Sequence, residues 1–339
     1  MLSNIKQGES RFGYKYNLRL FERKSLLQES NNDLLREKLS SAVVLPSSFY
    51  IQVNFSPYNQ GQIGSCTANA GCASFRLQTP SSNFSPSRLF LYYIERALKN
   101  DFGDGAYLSD MYISMKATGL CSENTWPYIV SQQNVRPPTK AYYESKYSII
   151  KNWGIVPQNS TFVQDLKRVL FSGVPVVIGI LVFESFESDS SANTGIIHMP
   201  NTNSEMLLGG HAITLIGFDD SKNSFLFLNS WGTNWGTYQP NNNNFKGYGW
   251  IPYTYISNDY LTDEGYFMTE PLVNPIPPPP PPPPPPKPVV IVPPAPKSKP
   301  TPKPKPKPQP KSKPRPPPKP KPRPKQRTKS VPPSIFKRR

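Results

Sequence analysis

Residues 60–71 read QGQIGSCTANAG and place one of only three cysteines between a glycine-rich approach and a run of small residues. The following stretch, TANAGCASFRLQ at 67–78, contains no proline and predicts a helix. A cysteine directly before a helix lies beside unpaired N–H groups and the positive end of the helix dipole, which favour the thiolate over the thiol. Cys66 is therefore a candidate nucleophile, and the alternative is a small buried core residue.

A nucleophilic thiol needs a base that takes its proton, and the chain contains only two histidines. His198 lies in the polar stretch GIIHMPNTN and is predicted to be an exposed loop residue. His211 follows two glycines in LLGGHAITLIGF and opens a predicted strand, which would hold the imidazole rigidly. His211 is therefore the candidate base, and the alternative is a hydrogen-bonded histidine at the edge of a strand.

The candidate partner of His211 is Asn229. The segments HAITLIGF (211–218) and SFLFLNSW (224–231) flank a run of turn residues and predict a β-hairpin that brings the two side chains together. An amide oxygen can accept the imidazole N–H and hold the ring in one tautomer. Trp231 follows on the same face and is expected to cover this hydrogen bond from water. The alternative for Asn229 is a turn residue that closes a strand.

The order of the predicted elements indicates the fold class. Helical patterns occupy 85–98, with Ser85 as the N-cap, and 108–117. The later run VPVVIGILVF at 174–183 and the hairpin are rich in β-formers, and YQPNNNNFK at 238–246 is expected to be a polar loop. Helices followed by strands predict an α+β protein with two lobes.

The formal net charge of +17 is concentrated at one end of the chain. From Asn274 onward there are 18 of the 39 Lys and Arg residues and none of the 22 Asp and Glu residues, so the body is near neutral. Ten consecutive prolines and a lysine–proline repeat predict a disordered polyproline II tail. We therefore divide the chain into an N-terminal extension or short pro-segment at 1–44, a globular domain at 45–273 and a proline-rich basic tail at 274–339.

Seven segments together resemble the papain-like cysteine peptidases. His211 follows Cys66 by 145 positions and Asn229 follows it by 163, against about 130 to 150 in that family. The resemblance covers about residues 45–268. The segments are, in chain order, LPSS, QGQIGSC, DGA at 104–106, GLCSENTWPY at 119–128, GGHAITLIGFDD, NSWGTNWG and GYGWIPY at 247–253.

The resemblance implies a papain-like two-lobed α+β fold, with a helical lobe and an antiparallel β-barrel-like lobe, and it implies roles for four residues. Cys66 would be the nucleophile, His211 its base and then the acid for the leaving amine, and Asn229 the residue that orients the imidazole. Gln60 lies six residues before the cysteine, as in the family. Its side-chain amide would donate to the tetrahedral oxyanion together with the backbone N–H of Cys66.

The resemblance also implies where a substrate would bind. Gly105 and Ala106 fall where the family places backbone that pairs with an extended substrate. Gly210 falls beside the pocket for the second substrate side chain, next to the candidate base. Trp231 completes the set of candidate substrate-site residues. No zinc-ligand spacing, phosphate-cradling loop or dinucleotide fingerprint occurs, so we predict neither a metal nor a cofactor.

The sequence departs from the family at three places. Ile63 stands where the family has a disulfide-forming cysteine, Thr67 stands where it has Trp or Tyr, and only about 44 residues precede the domain. These features resemble the shorter, disulfide-poor forms found in bacteria, archaea and large DNA viruses. With three cysteines, no signal peptide and no apolar span, they predict an intracellular protein in a reducing compartment, and association with a virion if the chain is viral.

The predicted function is that of a thiol protease, a hydrolase that cleaves protein or peptide substrates. The alternatives are a catalytically silent papain-like binding or scaffold protein and an enzyme that cleaves a non-peptide amide. The basic tail is expected to be an inert, solubilising spacer or a weak tether that contacts a polyanion or a proline-recognition domain. Because aromatic residues are absent from the tail before Phe336, any nucleic-acid contact would be independent of sequence.

Overall fold

The computed structural model describes residues 12–15, 33 and 44–277. Most of the N-terminal extension, and the predicted tail from residue 278 onward, lie outside the described residues. Among the described residues, none of the helices has the length and apolar character that crossing a membrane requires.

Four of the seven described helices precede every described strand except β1. The helices are α1 Cys66–Leu77, α2 Arg88–Ala97, α3 Leu108–Ala117, α4 Thr139–Ser145, α5 Phe162–Phe171, α6 Asp189–Thr194 and α7 Tyr253–Ile256. The strands are β1 Ser48–Tyr50, β2 Ser148–Val156, β3 Val176–Phe183, β4 Leu207–Asp219, β5 Ser224–Leu228, β6 Thr237–Gln239, β7 Asn242–Pro252 and β8 Thr262–Val273. Short 3₁₀ turns lie at Val130–Gln132 and Glu184–Glu187.

Helix α1 is buried on almost every side, and its small residues make this possible. A Cβ on Gly71 would lie 2.3 Å from the sulfur of Met111 in α3, so the two helices approach more closely than larger side chains allow. On the other side the hydroxyl of Thr214 in β4 donates to the carbonyl oxygen of Ala70 at 3.2 Å. The helix that carries Cys66 is therefore fixed between the helical lobe and the central strand of the sheet.

The strands form one antiparallel sheet in the order β2–β8–β3–β4–β5–β7–β6, with β1 paired to β4. The 13-residue strand β4 lies at its centre, between β3 and β5. One apolar core joins α1, α2 and α3, and a second core fills the space between the sheet and α5. The predicted two-lobed α+β fold is confirmed.

Two local predictions were wrong. Helix α2 begins after Ser87, whose hydroxyl accepts the N–H of Phe90 at 3.1 Å, and not after Ser85. The reason is that Pro86 and Ser87 are held extended by pairing with residues 121 and 122. The expected polar loop at 238–246 is largely the β6–β7 hairpin, whose turn includes Asn241 in the left-handed conformation.

A buried carboxyl behind α1 makes the stability of the fold depend on pH. Burial raises the pKa of Glu95 from 4.5 to about 8, and the hydrogen bond that Thr67 donates to it at 2.8 Å opposes this rise. Because the folded chain binds this proton more tightly than the unfolded chain, the free energy of unfolding falls as pH rises from about 4.5 to about 8.

We predict that Glu95→Gln flattens this dependence. Relative to the unsubstituted chain, the variant's free energy of unfolding should increase by about 1 to 3 kcal/mol more at pH 8 than at pH 5, because the glutamine carries no charge to desolvate. Urea unfolding at both pH values measures the difference. The exposed residue Glu270, whose side chain pairs with Lys151 at 2.6 Å, supplies the control Glu270→Gln. An equal gain at both pH values for Glu95→Gln would contradict the prediction.

Candidate active site

Cys66 is the first residue of α1, one position earlier than the predicted start of the helix. The first N–H groups of a helix have no partner within it, so they surround the thiol with donors. The backbone of Ala212 in β4, next to His211, is one of the groups that lower the pKa of Cys66. The fold thus brings the helix that begins at Cys66 against the strand that carries the candidate base.

His211 and Asn229 form a buried hydrogen bond between neighbouring strands. The register pairs Thr214 of β4 with Leu228 of β5. Asn229 follows Leu228, so it lies alongside the part of β4 that carries His211. Nε2 of His211 lies 2.8 Å from Oδ1 of Asn229. Because a carbonyl oxygen only accepts, Nε2 carries the proton. The same Oδ1 accepts the N–H of Ser230 at 2.8 Å, which fixes the orientation of the amide.

Aromatic rings cover the imidazole. Trp231 stacks on His211 with ring centroids 4.8 Å apart and an interplanar angle of 28°. Phe186 meets both rings edge-on, at 6.4 Å from His211 and 5.6 Å from Trp231. These apolar faces exclude water from the His211–Asn229 bond and thereby strengthen it.

Gln60 is linked to the same network through Ser230. Its backbone N–H donates to the carbonyl oxygen of Ser230 at 2.9 Å, and the Ser230 hydroxyl donates to its Oε1 at 2.6 Å. Its Nε2 donates to the carbonyl oxygen of Ile63 at 3.0 Å. The amide nitrogen of Gln60 is therefore directed toward the loop that precedes Cys66.

The candidate substrate positions contact a segment of the chain itself, residues 12–15. Ala106 donates its N–H to the carbonyl oxygen of Gly13 at 2.8 Å, and its own carbonyl oxygen accepts the N–H of Lys15 at 2.9 Å. The carbonyl oxygen of Gly210 accepts the N–H of Tyr14 at 3.0 Å. An extended stretch of polypeptide thus occupies the positions assigned to substrate backbone.

Gly13 crosses the site in very close contact with its walls. The backbone of Gly13 is one of the groups that lower the pKa of Cys66. A Cβ on Gly13 would lie 1.8 Å from the carbonyl oxygen of Gly64, and a Cβ on Gly105 would lie 2.0 Å from that of Gly13. Only glycine can occupy either position without moving backbone.

Burial determines the ionisation of the covered thiol. It raises the pKa of Cys66 to about 12, while the N–H groups of Ala212, Gly13 and Thr67 lower the pKa by less. The expected thiolate at the helix N-terminus is therefore not the form present here, because desolvation outweighs the surrounding donors. Removal of the covering segment would rehydrate the sulfur and lower its pKa.

The structure brings the eight predicted site residues to one region, and it adds residues that the sequence did not indicate. His211, Asn229, Gln60 and Trp231 are joined by the contacts described above, and Gly105, Ala106 and Gly210 lie against the 12–15 segment. Ser230 and Phe186 were missed, although the former lies within the NSWG segment. The 12–15 segment itself was also missed, because its short sequence FGYK has no pattern that distinguishes it from any polar extension.

Comparison with known families agrees with this geometry. The sequence model described as papain family cysteine protease matches residues 52–242, more than half of the chain. The chain belongs to the papain family. This assignment confirms the resemblance drawn from the seven sequence segments.

Relatives of this papain-family chain include viral and animal proteins. It is 35% identical over 254 residues to an uncharacterized peptidase C1-like protein of Acanthamoeba polyphaga mimivirus, covering 71% of this chain and 77% of that protein. It is 27% identical over 189 residues to cathepsin J of Rattus norvegicus, covering 52% of this chain and 53% of that one.

Solved structures show the same fold. Xylellain, a cysteine protease from Xylella fastidiosa, superimposes with a TM-score of 0.64 at 28% identity, over 77% of this chain and 96% of xylellain. A procathepsin B from Trypanosoma congolense superimposes with a TM-score of 0.52 at 16% identity, over 69% of this chain and 80% of that one, and shows the fold alone.

We predict that Gly13→Ala uncovers the thiol of the full-length papain-family chain. The added methyl would collide with the Gly64 carbonyl oxygen and displace the 12–15 segment. Cys66 should then react with iodoacetamide at pH 7 at least about 10-fold faster, and the pH midpoint of the reaction should fall, because the thiolate fraction rises as the pKa falls. Intact-mass kinetics across pH measure both quantities. Lys15→Ala is the control, because it removes the side-chain contacts of Lys15 with Asp101 and Tyr107 but keeps the backbone bond to Ala106. Equal rates for the two variants would refute the prediction.

Proposed function

We propose that this papain-family chain is a cysteine-type peptidase that hydrolyses peptide bonds through an acyl-enzyme on Cys66. The observation that carries the proposal is the buried Nε2–H···Oδ1 bond between His211 and Asn229. His211 lies in β4, the strand that the Cys66 helix contacts through the Thr214–Ala70 hydrogen bond. A histidine held in one tautomer beside a cysteine at a helix N-terminus is the arrangement that activates a thiol.

The proposed reaction begins with proton transfer. Asn229 holds the proton on Nε2, so Nδ1 of His211 takes the proton of the Cys66 thiol. The thiolate attacks the peptide carbonyl carbon, and the carbonyl oxygen becomes an oxyanion. The backbone N–H of Cys66 and the side-chain amide of Gln60 donate to this oxyanion.

The second half returns the enzyme to its starting state. The imidazolium of His211 gives its proton to the leaving nitrogen as the C–N bond breaks, which leaves a thioester on Cys66. A water molecule then loses a proton to His211, and its oxygen attacks the thioester carbon. The sulfur leaves as the thiolate when the acid product forms, and it takes the proton back from the imidazolium of His211. Over the cycle, water adds across one amide bond.

Polypeptide is the substrate class that the cleft supports best. Ala106 and Gly210 make three backbone hydrogen bonds with the extended residues 13–15, and an extended substrate would form bonds of the same kind. A small non-peptide amide offers no repeated N–H and carbonyl groups for these positions. No described contact favours a silent binding protein, since all four proposed catalytic residues are present.

We further propose that residues 1–44 act as a pro-segment for the domain at 45–273. The 12–15 segment uses the hydrogen-bonding groups proposed for substrate, so both cannot bind at once. The segment is therefore positioned to compete with substrate for the proposed cleft.

We propose the compartment of the protein and the role of its tail from composition. The cysteines Cys66, Cys72 and Cys121 are all free and buried, which supports a reducing compartment. The mimivirus relative supports a viral origin, the condition under which we propose association with a virion. The tail at 274–339 would tether the peptidase to a polyanion through counterion release. Deletion of 274–339 should abolish salt-sensitive retention on a heparin column, and unchanged retention would rule out this role. Proline-recognition domains are the alternative partners of the tail.

We predict that, in the full chain carrying Gly13→Ala, both Cys66→Ala and His211→Ala reduce kcat for casein hydrolysis by at least about 10³-fold. Asn229→Ala should reduce it by about 10- to 100-fold, because the imidazole loses its fixed tautomer. Release of new amino termini measures the rate. His198→Ala is the matched control, since that histidine is exposed. Hydrolysis that survives Cys66→Ala, or that is lost equally in His198→Ala, would exclude the proposed mechanism.

A further inference from the structure

The side chain of Tyr14 leaves the cleft and enters a pocket in the sheet. The residue is only 5% exposed and belongs to the apolar core that contains Val177 and Ala212. Its hydroxyl donates to Oδ2 of Asp263, a residue that is 1% exposed. A tyrosine from outside the domain thus places its polar end on a carboxylate inside it.

Glycines on two neighbouring strands make room for this ring. A Cβ on Gly179 in β3 would lie 2.2 Å from two ring carbons of Tyr14. A Cβ on Gly210 in β4 would lie 3.1 Å from the ring carbon Cδ1 and 2.2 Å from the carbonyl oxygen. The pocket therefore exists because both strands lack side chains at the point where the ring enters.

The pairing of β3 with β8 places the carboxylate at the end of this pocket. Ile178 pairs with Gly265 and Ile180 pairs with Thr262, so Asp263 and Glu264 lie opposite the single residue Gly179. Such a bulge redirects side chains relative to a regular strand. The other oxygen of Asp263, Oδ1, accepts the N–H of Glu264 at 3.0 Å, which fixes the direction of the carboxylate.

The pocket is also close to the reacting atoms. Tyr14 follows Gly13, which packs against Gly64 two residues before Cys66, and its own N–H donates to the carbonyl oxygen of Gly210 next to His211. A side chain in this pocket therefore belongs to a residue near the bond that is cut.

We propose that this is a specificity pocket that selects tyrosine in the substrate, and that Asp263 is the specificity-determining residue. This inference rests on the proposed peptidase function. Phenylalanine would fill the same space but would leave the buried carboxylate without the phenolic donor. A site built to hydrogen-bond a hydroxyl rejects the analogue that lacks it more strongly than an apolar pocket rejects a change in size.

The test compares two peptidyl vinyl sulfones that differ only in tyrosine or phenylalanine at the residue that enters the pocket. With the full chain carrying Gly13→Ala, the tyrosine probe should label Cys66 about 10- to 100-fold faster. Asp263→Asn should narrow the ratio, and Asp263→Ala should bring it close to one. Equal labelling rates in the parent, or faster labelling by a matched arginine probe, would overturn the proposal.

A second variant leaves the pocket unaltered, so it is informative even if the Asp263 variants do not fold. In the otherwise unchanged full chain, Tyr14→Phe should speed alkylation of Cys66 by iodoacetamide about 10-fold, because the covering segment loses its bond to Asp263. Tyr260→Phe is the matched control, since Tyr260 is exposed. No difference between the two variants would overturn the proposal.

Hydrolysis of the corresponding peptide pair separates this inference from the proposed function. Cleavage of both peptides at equal rates would leave the peptidase function intact and exclude selection by Asp263. Tyrosine-selective labelling of Cys66 without cleavage of any peptide would leave the pocket intact and exclude the peptidase function.

Discussion

A single oxygen atom, Oδ1 of Asn229, holds the two halves of the site together. It accepts N–H groups from His211 and from Ser230, and Ser230 in turn binds Gln60 through both backbone and side chain. The base and the proposed oxyanion donor are thus connected by one chain of buried hydrogen bonds. Because each member is buried, the loss of one would leave its neighbours unsatisfied in a medium of low dielectric constant.

Close approach of backbone is the second constraint on the site. Gly13, Gly64 and Gly105 meet where any Cβ would collide with backbone, and Gly179 and Gly210 open the space that the ring of Tyr14 fills. These glycines lie on different elements and share no local pattern. Their common function is to let a strand of polypeptide pass directly over the thiol.

The candidate catalytic residues could be predicted from the sequence, but their covering by the 12–15 segment could not. Cys66, His211 and Asn229 were indicated because each stands beside a recognisable local element: a helix start, a strand start and the end of a hairpin strand. The hairpin of β4 and β5 then fixed which side chains meet. The predicted cap Ser85 and the observed cap Ser87 fit the same local rule, and only the long-range pairing of Pro86 with Ser122 decides between them.

The position of the 12–15 segment could not be predicted for a related reason. Its contacts with Ala106, Gly210 and Asp263 join residues that are about 90 to 250 positions apart, and no periodicity links them. The same holds for the pKa of Cys66. The helix N-terminus was visible in the sequence, whereas the desolvation that outweighs it depends on what lies over the sulfur.

The covalent link between the 12–15 segment and the domain makes this segment an intramolecular ligand. A tethered ligand competes at an effective concentration on the order of millimolar, which few free substrates reach. One cut in the chain between Lys15 and strand β1 would turn the segment into a separate peptide at no more than the concentration of the protein itself. The segment could still make the same contacts, but it would occupy the cleft less often because it is diluted. A single proteolytic event could thus expose the cleft without any change in the fold of the domain.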